Sequence, residues 1–263
     1  MWTFLKTKMA FIHLTILFYA GCYVPHFADA VLKDKDVTLK LKGIAMGNAV
    51  TELNWLFTFQ IPLQAYHGLV GMEELAEWEN KYCPTGYENF CGEQISHAPK
   101  KWLERDFNNY NLAGKCYSGE TCEGDSMRRY FNTPEVQESL HFDAKEWIYC
   151  NHEVHKHFAF CEDAETLVRS LLDNNVKVLY FYGTDDNVCP FIDGDLFTRK
   201  IGGVGKKDHW FVDNVYSGTQ TVYPRNLIYT TVIGAGHPVA TSKPKQMQNI
   251  LSKFINDTED WNA

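Results

Sequence analysis

The sequence predicts an α/β fold carrying a mostly parallel sheet, and three observations predict it. Two short runs, VKVLYFYG at 176–183 and NLIYTTVIGAGH at 226–237, are apolar and rich in β-branched and aromatic residues. Strands covered on both faces read this way. Amphipathic patterns precede, separate and follow these runs, the alternation that produces parallel strands with helical crossovers. The chain has 263 residues, 45% of them apolar and 14% aromatic, enough to bury a sizeable core.

Each element can be justified in chain order. The first 22 residues combine two lysines with an apolar run from Met9 to about Ala20, the layout of a secretory signal peptide. The run is short for a membrane span, and no good cleavage site follows it. YAGCYVPHFADAVL at 19–32 reads as a turn and a helix, and VTLKLKGIAMGNAV at 37–50 as a buried strand ending in a loop. GMEELAEWENKY at 71–82 has helix formers and an apolar stripe. From there to about Cys122 the text is rich in Gly, Pro, Asn and Cys and reads as loop. NTPEVQESLHF at 132–142 begins a helix, with an Asn or Thr cap, Pro134 in the first turn and Glu135 near the positive end. DAETLVRSLLDNN at 163–175 is a cleaner amphipathic helix, with Leu167, Val168, Leu171 and Leu172 on one face. After the strand at 176–183, DNVCPFIDGDLFTRKIG starts a loop and a helix. TSKPKQMQNILSKFIND at 241–257 is a final helix that turns Ile250, Leu251, Phe254 and Ile255 inward. Helix, strand, helix, strand and helix thus fill the last hundred or so residues, whereas 53–158 lacks this rhythm and reads as a mostly helical insertion.

Charge and cysteine usage narrow the function classes. A net charge of −8 without a long run of one sign argues against a nucleic-acid surface, which needs clustered Lys and Arg. Eight cysteines occur without a CxxC pair, so neither a zinc knuckle nor a thioredoxin motif is indicated. Cys83 and Cys91, and Cys116 and Cys122, bracket turn-rich stretches in a manner suited to disulfide-stapled loops of an oxidising compartment; scattered buried thiols are the alternative. Asn256-Asp257-Thr258 is a glycosylation sequon.

Two ionisable residues stand where an open α/β sheet collects its functional groups, just beyond the C-terminal ends of strands. Asp186 follows VLYFYG, and His237 follows NLIYTTVIGAG. This is the second half of a Ser-Asp-His order. A carboxylate holds the imidazole in one tautomer, and the imidazole takes a nucleophile's proton because it titrates near neutrality. Gly234 and Gly236 allow a tight turn and close approach of a substrate. The alternative is that Asp185 and Asp186 cap the following helix and His237 is structural.

Several stretches together resemble one family. They are YAGCYVPHFADAVL, LKGIAMGNAVT, AYHGLV, NNYNLAGKCY, YFNTPEVQESLH, VLYFYGTDDNVCPF and GAGHPVATSKPKQMQNILSKFI, spread over roughly 19–256. They resemble the C-terminal portion of a serine carboxypeptidase of the lysosomal carboxypeptidase and cathepsin A family. The resemblance implies an α/β-hydrolase-like core with a partial, mostly parallel sheet, formed by 19–52 and 159–263. It implies a helical, disulfide-stapled cap at 53–158, with 1–18 unrelated or signal-like. It implies Asp186 and His237 as catalytic residues, no cofactor and no metal. Peptide or protein C-termini are the implied substrate class, and the implied location is secreted, lysosomal or vacuolar. Cys116 with Cys150, and Cys83 with Cys91, match bridges of the family; the pairing of Cys22, Cys122, Cys161 and Cys189 stays open. A membrane partner is not expected, and homodimerisation is left open.

The nucleophile turn departs from the pattern. The family's nucleophile lies in a Gly-Glu-Ser-Tyr-Ala-Gly turn, of which Tyr19-Ala20-Gly21 is the second half. Ile16, Leu17 and Phe18 occupy the Gly, Glu and Ser positions, and phenylalanine has no nucleophilic atom. The expectation is an inactive or truncated hydrolase, with a non-catalytic binding or chaperone-like protein on the same scaffold as the alternative. An unpaired sheet edge would further lead to poor soluble expression.

Overall fold

The structure, a computed structural model, describes residues 17–36, 40–52, 58–86, 107–114, 122–141, 143, 145–148, 151–157 and 163–256. In chain order the elements are β1 (Leu17–Phe18), α1 (Ala20–Lys33), β2 (Gly43–Ala49), α2 (Gln60–Tyr66) and α3 (Met72–Tyr82). Then come α4 (Cys122–Phe131), α5 (Pro134–Ser139), α6 (His152–His155), α7 (Ala164–Asp173), β3 (Lys177–Gly183) and α8 (Phe191–Gly202). The chain closes with β4 (Lys206–Val212), β5 (Val215–Tyr223), β6 (Leu227–Val232), α9 (Val239–Ser242) and α10 (Pro244–Ile255).

These strands form one six-stranded sheet in the order β1-β2-β3-β6-β5-β4. The first four run parallel, with Gly47 opposite Phe181 and Gly183 opposite Val232. Strands β2, β3 and β6 are buried along nearly their whole length because both faces are covered. Ile44, Met46, Val178, Tyr180 and Tyr182 face α1, α7 and α8, through Ala20, Val24, Ala28, Val168, Leu171 and Phe197. The alternate residues Ala45, Leu179 and Phe181 face α10, through Met247, Ile250 and Phe254. A period of two in each strand supplies two apolar faces, which is why no polar alternation marks them in the sequence. The small cluster of Ile61, Ala65, Leu75, Trp78 and Tyr82 joins α2 to α3 separately.

The last hundred residues contain one element that the alternating pattern lacked. Between α8 and β6 lies the antiparallel hairpin β4–β5, which extends the sheet beyond β6. Its turn is Asp213-Asn214, both with positive φ, at 52° and 62°. Paired left-handed residues match the twist of two antiparallel strands, so this dipeptide was a legible hairpin signal. Leu251 and Ile255 of the final helix are also less buried than expected, at the rim rather than in the core.

Cys22 and Cys83 are each disulfide-bonded, and Cys189 is a buried free thiol. The proposed partners Cys91, Cys116 and Cys150 lie outside the described residues, as do Cys161 and most of the signal-like stretch. No helix among the described residues is long and apolar enough to cross a membrane.

Candidate active site

Asp186 and His237 meet. Parallel pairing of β3 with β6 brings the ends of the two strands level, so the loops that leave them share one rim. Thr184 donates its N–H to Val232, and Asp185 donates its own to Ala235, stitching the loops together at 3.1 and 2.9 Å. His237 Nδ1 then lies 2.7 Å from Asp186 Oδ2, with Asp186 fully buried and His237 nearly so. A carboxylate only accepts, so Nδ1 carries the proton and Nε2 is the ring's basic nitrogen. Neither Asp185 nor Asp186 caps α8, whose N-cap is Pro190.

Asp186 is held from two further sides. Asn48, the penultimate residue of β2, donates Nδ2 to the same Oδ2 at 2.7 Å, and Val188 donates its N–H to Oδ1 at 2.8 Å. The side-chain oxygen of Asn48 in turn accepts from the N–H of Gly183 at 3.2 Å. Asn48 is fully buried and adopts φ 42°, a left-handed conformation that Asn tolerates better than most residues. The Gly47-Asn48 end of the strand signalled a turn in the sequence; nothing there signalled that the amide would reach a residue 138 positions away. Both carboxylate oxygens are therefore fixed by donors, which sets the orientation of the group.

A second support is the segment 107–114, which crosses both loops. Tyr110 accepts the N–H of His237 at 2.7 Å, Asn109 accepts that of Asn187 at 2.9 Å, and Leu112 donates to Asp185 at 2.8 Å. The Tyr110 ring meets the imidazole edge-on, with centroids 5.4 Å apart. This corrects the sequence reading of the glycines beside His237. A Cβ on Gly236 would lie 2.4 Å from the Tyr110 carbonyl, so this glycine admits the chain's own backbone. Gly234 does serve the turn, at φ 69°.

The backbone of β1 reaches the same rim. Leu17 pairs with Gly47 and Phe18 with Ala49, next to Asn48. One turn residue, Tyr19, separates this strand from α1. Strand, sharp turn and helix form the layout that presents a nucleophile at the edge of such a sheet. Gly21 is required one step further on, because a Cβ there would lie 1.9 Å from the Val50 carbonyl.

Cys189 is the third side chain of this group. Its sulfur, with donor atoms of Asp186 and His237, forms a group lying within 4.8 Å. Burial pushes the Cys189 thiol well above its ordinary pKa, with the charges of Asp186 and Asp193 adding to that, so the sulfur is held as a thiol. The Asp186 oxygens already accept from Asn48, His237 and Val188.

Comparison with known proteins follows the same outline. The serine carboxypeptidase family matches residues 5–257, further toward the N-terminus than the motif correspondence. Serine carboxypeptidase-like 36 of Arabidopsis thaliana is 27% identical over 268 residues, covering 91% of this chain and 55% of that protein. A vacuolar serine-type carboxypeptidase of Saccharomyces cerevisiae is 23% identical over 279 residues, covering 90% of this chain and 54% of that protein. This chain spans about half the length of these relatives. Among solved structures, the prohormone-processing carboxypeptidase Kex1(delta)p of Saccharomyces cerevisiae superposes with a TM-score of 0.65 at 22% identity. It covers 91% of this chain and 60% of that one, a likeness of fold. Sheet order, the paired loops and a match over nearly the whole length lead to one conclusion: the chain belongs to the serine carboxypeptidase family.

Proposed function

We propose that Asp186 and His237 are the charge-stabilising and base residues of a serine carboxypeptidase site, whose complete form releases C-terminal residues from peptides. The observation that carries this reading is the buried 2.7 Å contact between them at the shared rim of β3 and β6. In such a site the Nε2 of His237 takes the proton of a serine hydroxyl as the oxygen attacks the scissile carbonyl. Asp186 stabilises the imidazolium, which then protonates the leaving amine. Here Phe18 stands at the serine position, so no acyl-enzyme forms at that position. Cys22 does not replace the nucleophile, since its sulfur is in a disulfide. Family membership and the vacuolar relative support a secreted or vacuolar setting, and 53–158 is read as the cap over the core.

A fluorophosphonate probe and an N-blocked dipeptide test the reading. The chain is expected to remain unlabelled and to release no C-terminal amino acid. A longer product carrying Gly-Glu-Ser before Tyr19 is expected to do both, and to lose both on His237→Ala. Labelling of the present chain at any serine, abolished by His237→Ala, would show a nucleophile other than the one assigned.

A further inference from the structure

His67 closes α2, and its ring sits between two acceptors. Nδ1 donates to the carbonyl of Leu63 at 2.8 Å, and Nε2 faces Oδ1 of Asp185 at 3.5 Å. A carbonyl oxygen carries no proton, so Nδ1 must. A neutral ring in that tautomer would turn the bare lone pair of Nε2 toward a carboxylate. Only the imidazolium makes both contacts attractive.

Asp185 is tied into the candidate site. It directly precedes Asp186, donates its N–H to Ala235 on the loop that carries His237, and accepts the N–H of Leu112 from the crossing segment. Its Oδ1 also accepts from the Thr184 hydroxyl at 2.9 Å. A charge held beside Asp185 therefore acts on the loop that presents Asp186.

We propose that His67 is a pH-operated latch: its imidazolium ties α2 to the aspartate loop in acid and releases that loop on losing its proton. The latch makes His67 a positioning residue, and only its consequence for catalysis rests on the carboxypeptidase reading. Among the titratable groups around the pair, Asp186 is committed to Asn48, His237 and Val188. His237 is bonded to Asp186, Tyr110 packs on that imidazole, and Lys243 lies beside Gly234. Asp185 is the charge that acts on His67, and it raises the ring's pKa above the ordinary 6.5 against partial burial, with the Leu63 carbonyl assisting. Because the folded value is raised, the latch is complete below about pH 6.5 and is lost as pH climbs through the folded pKa.

The test follows two signals in the full chain. NMR titration of the His67 ring is expected to show an upward-shifted midpoint that returns toward the ordinary value in Asp185→Asn. Exchange protection of the Leu112, Asn187 and His237 amides, corrected for intrinsic base catalysis, is expected to fall by up to about five-fold across that midpoint, the loss of an ion pair that keeps some contact with solvent. His67→Lys should keep the protection at both ends of the range, and His67→Gln should lack it at both. A purely structural histidine would leave protection independent of pH, and that result overturns the latch. An Asp185→Asn variant with an unchanged His67 midpoint overturns it as well, even if His67→Gln fails to fold. Neither result bears on whether Asp186 and His237 serve a hydrolase.

Discussion

Removing the carboxyl of Asp193 should make the protein more stable, and increasingly so as pH rises. This residue lies in the first turn of α8 with no exposed surface. Thr51, just past β2, donates its hydroxyl to Oδ1 at 2.7 Å, and Oδ2 has no hydrogen-bond partner among the described residues. Burial pushes the carboxyl from 3.8 up to about 8, opposed by the hydrogen bonds of Thr51 and assisted by the charge of Glu52. The group is neutral in the folded chain and ionised in the unfolded chain throughout that window. The unfolded state binds fewer protons there, so stability falls as pH rises from about 4 to about 8 and is level outside those limits. At about 1.4 kcal/mol per pH unit, the cost reaches on the order of 4 kcal/mol at pH 7. The side-chain amide introduced by Asp193→Asn has nearly the shape of the neutral acid and would still accept from Thr51. Urea unfolding of wild type and Asp193→Asn, followed by tryptophan fluorescence at several pH values, should give equal stabilities near pH 4 and a gap that widens toward pH 8. His67 titrates in both proteins and cancels from the difference. A gap independent of pH would refute a neutral buried acid at this position.

Three further outcomes follow from the packing. Gly21→Ala should cost about 3 kcal/mol or more, because the Val50 carbonyl that its Cβ would strike is backbone at the end of β2 and cannot rotate away; thermal unfolding measures the loss. Asn48→Gly keeps the left-handed backbone but removes the donor to buried Asp186, and should cost about 1–3 kcal/mol. Asn48→Ala should cost about 1 kcal/mol more for its strained φ, so equal denaturation midpoints for the two variants would refute the conformational argument. Asn214→Val should lower stability by about 1–2 kcal/mol in urea unfolding, since a β-branched residue is forced to positive φ in the β4–β5 turn.

The strands were legible where their environment is uniform. VKVLYFYG and NLIYTTV are mostly apolar, β-branched and aromatic runs because helices cover both faces, so composition alone marked β3 and β6. The helix over 163–175 was legible for the opposite reason, since one face is core and the other is water. The β4–β5 hairpin was harder to read: it lies at the sheet's far edge, and its burial alternates irregularly. Its clearest mark was the Asp213-Asn214 turn, which the helix–strand rhythm concealed.

By itself, the sequence determined the alternation of helices with β3 and β6 and the placement of Asp186 and His237 just after strands, and its resemblance to the family raised the expectation of a phenylalanine at the nucleophile position. Those are local properties: periodicity, turn residues and the identity of one side chain. Only the tertiary structure decided that Asp186 is gripped by Asn48, that Tyr110 spans to His237, and that His67 faces Asp185. Each of these joins positions far apart in the chain. Such contacts depend on strand order and register, which bring distant residues together without leaving a repeat or spacing in the sequence to announce them.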